Sequence, residues 1–291
     1  MTLRALVATL GGDLYGGGMR ANVPAPGHSA NDRSISLWLD GGRLIIHGFG
    51  GVDWRAMRDD LRRRGLVDAE GCVRCEGVPG SSELRPDRRA RSAVASSLWE
   101  AALPVTATDV AAAHLRRRRV RCGSGVENLA FHPACPAAVY RGGGPRRPAL
   151  LARISDANGQ LTAVELTYLD LNGVTATGLR LPRKTVGCVP AGAAVRLSPA
   201  APEMLVGEGV ATTLSAIDRF GLPGWALLSA GNLAAWTPPV EVRRILIAAD
   251  SGRVGGEAAQ RLRRRLRAAG LSVEIRSPGP EFNDWNDAAP G

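Results

Sequence analysis

The chain has 291 residues, of which 45% are apolar, a length and composition that allow two folded domains. No run of about 18 apolar residues occurs and no signal peptide is recognisable, so we expect a cytoplasmic protein without a membrane span or a membrane partner. The formal net charge of +10 excludes an acidic protein and favours a polyanionic partner such as nucleic acid.

Residues 1–67 are predicted to form one small module. Two short apolar runs, ISLWLDGG and RLIIHGFGG, lie around an Asp-Gly-Gly turn, which is typical of a β-hairpin. The following segment DWRAMRDDLRRRGL has helical spacing, with Asp53 as N-cap and Gly65 as the residue that ends the helix. The module is therefore predicted to contain a hairpin and a helix.

Residues 68–95 are rich in Gly, Pro, Ser and Arg and are predicted to be a linker. Residues 96–200 are predicted to be a mixed middle domain. SSLWEAALP and TDVAAAHLRRRR have helical patterns, a hairpin turns at Asn158-Gly159, and GAAVRLSP is a further strand. Lys184, the only lysine of the chain, is placed on a loop of this domain.

Residues 201–291 alternate regularly between strands and helices. The order is strand MLVGEG, a helix through Ile217, strand WALLSAG, strand RRILIAAD, helix GEAAQRLRRRLRAAG and strand LSVEIRSPG. This alternation indicates βαβ units and a mostly parallel sheet. The predicted fold class is α/β for this domain and α+β for the whole chain.

Acidic residues follow the strands of this last domain. Glu208 comes directly after the first strand, Asp250 after a later one, and Asp284 and Asp287 lie in the segment EFNDWND. Because the carboxyl ends of parallel strands meet at one edge of a sheet, we expect these side chains to converge. Converging carboxylates repel one another unless a cation such as Mg²⁺ lies between them.

This pattern resembles the Toprim domain of primases, topoisomerases and some nucleases. The resemblance implies acid–base catalysis by Glu208 and metal binding by Asp250, Asp284 and Asp287, with Mg²⁺ or Mn²⁺ as cofactor. The family also has a second aspartate in an Asp-x-Asp pair, and Gly252 stands at that position here. The lost carboxylate leaves two alternatives open, an active site completed by other ligands and an impaired one.

The N-terminal segment VPAPGHSANDRSISLWLDGGRLIIHGFGGVDW resembles the zinc ribbon of bacterial and phage primases. The positions of its cysteines are held by Val23, Gly48 and Val52, and only His28 remains as a ligand. Structural zinc needs four donors, so we expect a degenerate module without zinc. The pair Cys72 and Cys75 is interpreted as two reduced thiols.

Arginine clusters provide candidate contacts with phosphates, and Lys184 is a further candidate. The predicted nucleic-acid-binding residues are Arg116, Arg117, Arg118, Arg119, Arg263, Arg264 and Lys184. Contacts of this type are independent of base sequence and sensitive to salt. A solvated helix face is the alternative interpretation of any single cluster.

Taken along the whole chain, the resemblance is to Toprim-containing, DNA-primase-like proteins of plasmids and phages. It implies metal-dependent primer synthesis on single-stranded DNA from nucleotides during replication of a mobile element. No phosphate-binding loop of the Gly-x-x-x-x-Gly-Lys-Ser/Thr type occurs, so any replicative helicase is expected on a separate chain. A Toprim nuclease and a catalytically impaired nucleic-acid-binding module remain the alternatives.

Overall fold

The computed structural model describes residues 2–15, 18–30, 32–40, 43–49, 51–68, 71–73, 87–123, 125–140, 144–179 and 181–289. The chain divides into two compact units, Met1–Glu83 and Leu84–Gly291. Within the described ranges, every helix is too short or too polar to cross a bilayer. Cys75 and most of the predicted linker lie outside the described residues.

The first unit is a four-stranded antiparallel sheet with two helices. Its elements are α1 (Leu3–Leu10), β1 (Asp13–Tyr15), β2 (Arg20–Val23), β3 (Ile35–Asp40), β4 (Arg43–Gly48) and α2 (Trp54–Arg63). The predicted hairpin is β3–β4, in which Leu37 pairs with Ile46. The predicted helix is α2, and the Asp53 side chain caps it by accepting a hydrogen bond from an amide in the first turn.

The second unit begins with a mixed part built on an antiparallel sheet. Its elements are α3 (Arg88–Glu100), β5 (Leu103–Pro104), α4 (Val110–Arg117), β6 (Leu129–Pro136), β7 (Arg146–Ser155), β8 (Leu161–Tyr168) and β9 (Arg183–Gly187). The strands lie in chain order, and the hairpin predicted at Asn158-Gly159 joins β7 to β8. Lys184 lies on β9, so its placement on a loop is wrong.

Helix α3 starts within the segment predicted to be a linker. The Asp87 side chain accepts a hydrogen bond from the Ala90 amide, and Ala95 and Leu98 are buried against the antiparallel sheet. Capping and burial together favour a helix where arginine and serine content indicated a linker. The boundaries of the four predicted segments stay a prediction.

The second unit ends with a mostly parallel five-stranded sheet. Its elements are β10 (Val195–Arg196), β11 (Glu203–Gly207), α5 (Val210–Phe220), β12 (Gly224–Ala226), α6 (Ala230–Ala235), β13 (Arg244–Ala248), α7 (Arg253–Ala268) and β14 (Ser272–Arg276). The strand order is β10-β12-β11-β13-β14, and only β10 pairs antiparallel. The predicted α/β fold class is confirmed.

The antiparallel and parallel sheets of the second unit share one apolar core. Leu150 and Ile154 of β7 pack in the same cluster as Val210 and Leu214 of α5. Strand β10 leaves the antiparallel part and pairs with β12 of the parallel sheet. Burial across this boundary therefore fixes the parallel sheet against the mixed part that precedes it.

Candidate active site at the carboxyl edge of the parallel sheet

The strand order creates a switch point between β11 and β13. The chain runs from β11 to β12 on one side, and β13 then pairs with the opposite side of β11. In open α/β sheets, ligands bind in the crevice at such a point, beyond the carboxyl ends of the strands. Glu208 follows β11 and Asp250 follows β13, so the two carboxylates lie on either side of this crevice.

Glu208 and Asp250 share one small space under the first turn of α7. Oε2 of Glu208 and Cβ of Asp250 each lie 3.8 Å from the point that a β-carbon on Gly255 would occupy. Glycine at this position keeps the helix backbone close to both acids. The convergence of these two carboxylates, expected from the sequence, is present in the structure.

Glu208 is half-buried, and its environment favours the protonated form. Burial raises the pKa of Glu208, and a hydrogen bond from the backbone amide of Ala230 partly offsets this rise. The loop that carries Ala230 is held by Leu228, whose amide donates to the backbone oxygen of Glu208 over 2.7 Å. Leu228 has a φ of 71°, a strained conformation of the kind that concentrates at functional sites.

Asp250 is the most perturbed acid of the site. Burial, followed by the charges of Glu208 and Asp284, raises its pKa to about 6. Its Oδ1 is buried and has no hydrogen-bond donor among the described residues. A buried carboxylate oxygen without a donor is costly, so the fold leaves this atom unsatisfied, as expected of a group with a function beyond the fold.

Asp284 reaches the site because its turn is attached to the loop after β13. The Ser251 amide donates to the backbone oxygen of Asn283 over 2.9 Å. Oδ1 of Asp284 accepts hydrogen bonds of 2.8 Å from the amides of Asn286 and Asp287, which close the turn. Both amides thus donate to Oδ1, which is one of the two carboxylate oxygens of Asp284.

Asp287 differs from the other three acids in its exposure. Its side chain is exposed, and Oδ2 accepts a hydrogen bond of 3.1 Å from the Asn283 side chain. The carboxylate charges that raise the pKa of Asp250 come from Glu208 and Asp284. The role of Asp287 as a metal ligand stays a prediction.

Gly252 occupies the N-cap of α7, beside Asp250. The helix has no side-chain cap, and a β-carbon on Gly252 would have open space around it. The backbone at this position has a φ of −69°, which any L-residue adopts. A side chain at position 252 would therefore fit in the structure where the second acid of the Asp-x-Asp pair is missing.

The acids suit a hydrated cation better than a fully protein-bound one. Among the described residues, no three His, Cys, Asp or Glu side chains are grouped closely enough to bind one ion directly. Mg²⁺ usually keeps several waters and takes one or two carboxylates together with substrate phosphates. The free buried oxygen of Asp250 and the adjacent carboxylates of Glu208 and Asp284 fit that mode.

The comparison with protein families identifies this domain. Residues 203–290 match the family model of the Toprim domain. This part of the chain is a Toprim domain. The resemblance found in the sequence is thereby confirmed. Residues 89–197 match a domain of unknown function, DUF7146.

Several solved primases resemble the chain at low identity. The primase fragment of the bacteriophage T7 primase-helicase is 17% identical over 55% of this chain and 61% of its own, with a TM-score of 0.36. The Aquifex aeolicus primase is 12% identical over 99% and 79%, with a TM-score of 0.45. The RNA polymerase domain of the Mycobacterium tuberculosis primase DnaG is 15% identical over 69% and 77%, with a TM-score of 0.38.

The chain thus spans less than two thirds of the T7 fragment. No curated protein sequence matches the chain.

The arginines at the end of α4 contact the chain itself. Three of their guanidinium groups donate to backbone oxygens: Arg116 to Ala107 (2.6 Å), Arg117 to Asn172 (2.9 Å) and Arg119 to Ala289 (2.9 Å). Arg118 is half-buried. The contact of Arg119 is made to the end of the Toprim domain. Their role in nucleic-acid binding stays a prediction. In the structure, three of them also connect the end of α4 to other segments of the second unit by hydrogen bonds.

Lys184 and the α7 arginines differ in their surroundings. The Lys184 ammonium donates to the backbone oxygen of Ala137 over 2.6 Å and lies 5.0 Å from the centre of the Tyr168 ring. On α7, Arg264 is exposed and Arg263 half-buried, and neither has an ion-pair partner among the described residues. The α7 arginines are the more accessible candidates for phosphate contacts.

The positions of the degenerate zinc ribbon are closely packed. Val23 is fully buried in the core of the first unit. A β-carbon on Gly48 would lie only 2.1 Å from the backbone oxygen of Val52, so a cysteine does not fit there. Nδ1 of His28 lies 3.0 Å from a carboxylate oxygen of Asp32, which gives this histidine a partner within the chain.

The sequence offered no clear signal for two features of the site. The strained Leu228 follows an ordinary apolar strand, and Gly255 lies among other glycines and alanines. A third feature, Asn286, did have a signal in the sequence, because it belongs to the second of the two Asn-Asp pairs in NDWND.

Proposed function

We propose that the chain is a primase-type nucleotidyltransferase that uses Mg²⁺ or Mn²⁺ to make short RNA primers on single-stranded DNA. The observation that carries the proposal is the donor-free, buried oxygen of Asp250, beside Glu208 and Asp284 at the switch point of a Toprim domain. A charge-rich site of this kind suits phosphoryl chemistry, in which cations and positioned acids act on phosphate groups.

Asp250 and Asp284 would hold the cation. When bound, it would offset the negative charge of the nucleotide phosphates and of the carboxylates themselves. The unsatisfied Oδ1 of Asp250 supports a role for this residue as a ligand, because a cation would offset the cost of its burial. Water and substrate phosphates complete such a shell, because the chain supplies no compact group of three ligands within its described residues.

Glu208 would act in proton transfer at the attacking hydroxyl of the primer. Burial raises the pKa of Glu208, and a higher pKa makes its carboxylate a stronger proton acceptor. The Ala230 amide and the strained Leu228 hold the loop around it and limit its rotation. The backbone thus positions Glu208 independently of any bound group.

The basic surface would hold the template. Arg263 and Arg264 lie on the helix that starts beside Asp250, and Arg116–Arg119 and Lys184 lie in the part that precedes the Toprim domain. The substrates would be nucleotides and single-stranded DNA, with a helicase on another chain. Replication of a plasmid or phage in the cytoplasm is the setting that we propose.

The alternative function is binding of nucleic acid without catalysis. It is favoured by Gly252, which removes one acid from the site and leaves open space in its place. A Toprim nuclease is the second alternative, because the same acids suit strand cleavage.

Primer synthesis by the purified full chain tests the proposal. The assay combines a single-stranded DNA template, four ribonucleotides and Mg²⁺ or Mn²⁺, and compares wild type with Glu208→Gln. We expect Glu208→Gln to reduce the rate of primer synthesis by about 100-fold or more, because the proton acceptor is lost. Glu203→Gln is the matched control, since Glu203 begins the same strand at its other end and pairs with Arg244.

Each alternative predicts a different result in this assay. Equal product from Glu208→Gln would refute the catalytic role. Nicking of labelled DNA without nucleotides would indicate the nuclease. Absence of any product, together with DNA binding that depends on salt and not on metal, would indicate the impaired module.

A further inference from the structure

The buried side chain of Asn286 joins three parts of the second unit. Its Nδ2 donates to the backbone oxygen of Arg118, just after α4, and to Oγ of Ser215 on α5 at 2.9 Å. Its own amide donates to Oδ1 of Asp284. Asn286 is 7% exposed, so these hydrogen bonds are made out of water and breaking them leaves buried polar atoms unpaired.

The side chains of the turn 284–286 point in three different directions. The charge of Asp284 acts on Asp250, and its turn is joined to the residue after Asp250 because the Ser251 amide donates to the backbone oxygen of Asn283. Trp285 is buried between the parallel sheet and α5, where its ring lies 5.1 Å from that of Phe220. Asn286 reaches toward Arg118. Position 284 is therefore set by two anchors that follow it in the chain.

The acceptor at Arg118 is itself held firmly. The amides of Arg121 and Cys122 donate to the two carboxylate oxygens of Asp218 on α5, at 2.6 and 3.1 Å. The Arg119 guanidinium donates to the backbone oxygen of Ala289, beyond the turn. The segment after α4 thus contacts the Toprim domain at three further residues that follow Arg118.

We propose that Asn286 is a positioning residue that locks the turn of Asp284 beside the loop of Asp250 and Ser251 by tying it to Arg118 and Ser215. The inference rests on the proposed function for its consequence, metal binding, and on geometry for the lock itself. It makes the segment after α4 part of the metal site, although none of its side chains contacts the carboxylates.

Two measurements on the full chain test the lock. Hydrogen–deuterium exchange without metal reports on the amides of Asn286 and Asp287, which donate to Asp284. Binding of Mn²⁺, followed by electron paramagnetic resonance of the free ion, reports on the site. The variants are Asn286→Ala, Ser215→Ala, and Val273→Ala as a control for general loss of stability, since Val273 is buried in β14.

Asn286→Ala is expected to speed exchange of the turn at least tenfold without speeding exchange in β11 or β13, and to weaken Mn²⁺ binding about tenfold. Ser215→Ala is expected to have a smaller effect on both, because the amide still donates to Arg118. Val273→Ala is expected to lower the melting temperature and leave Mn²⁺ affinity unchanged.

The results separate failure of the lock from failure of the proposed function. An unchanged rate of hydrogen–deuterium exchange in the turn of Asn286→Ala would overturn the inference, whatever the Mn²⁺ affinity of the variant. A melting temperature lowered as in Val273→Ala with unchanged Mn²⁺ affinity would also overturn it. If wild type binds no Mn²⁺, the proposed function fails, and exchange alone decides whether the turn is locked.

Discussion

Asp32 in the first unit and Asp250 in the Toprim domain are both aspartates in loops, and their surroundings are opposite. Asp32 accepts hydrogen bonds from the Ser34 hydroxyl and from the amides of Ala25 and Ser34. These bonds lower its pKa to about 2, the Ser34 hydroxyl contributing most. Asp250 has a donor-free oxygen and a pKa raised to about 6 by burial and by neighbouring acids.

The difference separates an acid that serves the fold from one that serves a ligand. Every hydrogen bond that Asp32 accepts stabilises its loop, so the protein gains from its charge. The charge of Asp250 costs the folded protein stability until a cation offsets it. A carboxylate that the fold leaves unsatisfied is thus a better indicator of function than acidity alone.

The largest effect is expected from Asp250→Asn, which removes the charge that distinguishes Asp250 from a neutral side chain of the same shape. We expect it to weaken Mn²⁺ binding by about 100-fold or more, since a neutral amide replaces a charged ligand. Without metal it should stabilise the protein by on the order of 1 kcal/mol at neutral pH, because the cost of burying a charge and the repulsion from Glu208 and Asp284 both disappear. Calorimetric melting in the presence of a chelator measures the second effect.

The pH dependence of that gain follows from the direction of the shift. The pKa of Asp250 is raised from 3.8 to about 6 in the folded chain, so wild type loses stability relative to the variant as pH rises between these values. A difference between the two proteins that stays constant from pH 4 to pH 7 would contradict the account.

An acid at position 252 would add a possible metal ligand beside Asp250, and a smaller effect on Mn²⁺ affinity is expected from it. We expect Gly252→Asp to raise Mn²⁺ affinity about tenfold, or about 1.4 kcal/mol, because open space at the N-cap of α7 accepts the side chain beside Asp250. Gly252→Asn is the matched control, since both residues cap a helix and only one is charged. Equal affinities in a Mn²⁺ titration would show that position 252 is out of reach of the ion.

The smallest expected effect is that of Asp32→Asn. We expect faster hydrogen exchange in residues 25–34 at neutral pH and no change in Mn²⁺ affinity, since the stabilising charge is lost only from the first unit. Because the pKa of Asp32 is lowered, its contribution is present above pH 3.8 and lost as pH falls toward 2. The difference between variant and wild type should shrink over that range, and a growing difference would contradict this assignment.

Sequence periodicity was sufficient for the alternating strands and helices of the parallel sheet, and the resemblance to a family supplied the Toprim assignment. The apolar strands, the glycines that follow them and the helix of Arg253–Ala268 are all local signals, and the structure has them in the predicted order. The start of α3 was missed because Ala95 and Leu98 are buried by a sheet whose strands are distant in sequence. Tertiary packing decided that element, and composition alone could not predict it.

The site was predictable where backbone topology fixes a position. Glu208 and Asp250 follow adjacent parallel strands, so their convergence follows from the order of the elements. Asp284 and Asp287 are three residues apart in one turn, and only the structure shows that the charge of the first acts on Asp250 while the second is exposed. Side-chain direction in an irregular turn depends on contacts such as that of Asn286, which leave little trace in a single sequence.

The seam between the two matched regions has an evolutionary consequence. The family models end and begin at 197 and 203, yet Leu150 on one side and Leu214 on the other fill the same apolar interior, and β10 completes the sheet of its neighbour. Recombination between residues 197 and 203 would expose these leucines to water in both halves. The two regions are therefore expected to descend as a pair, exchanged between genomes together.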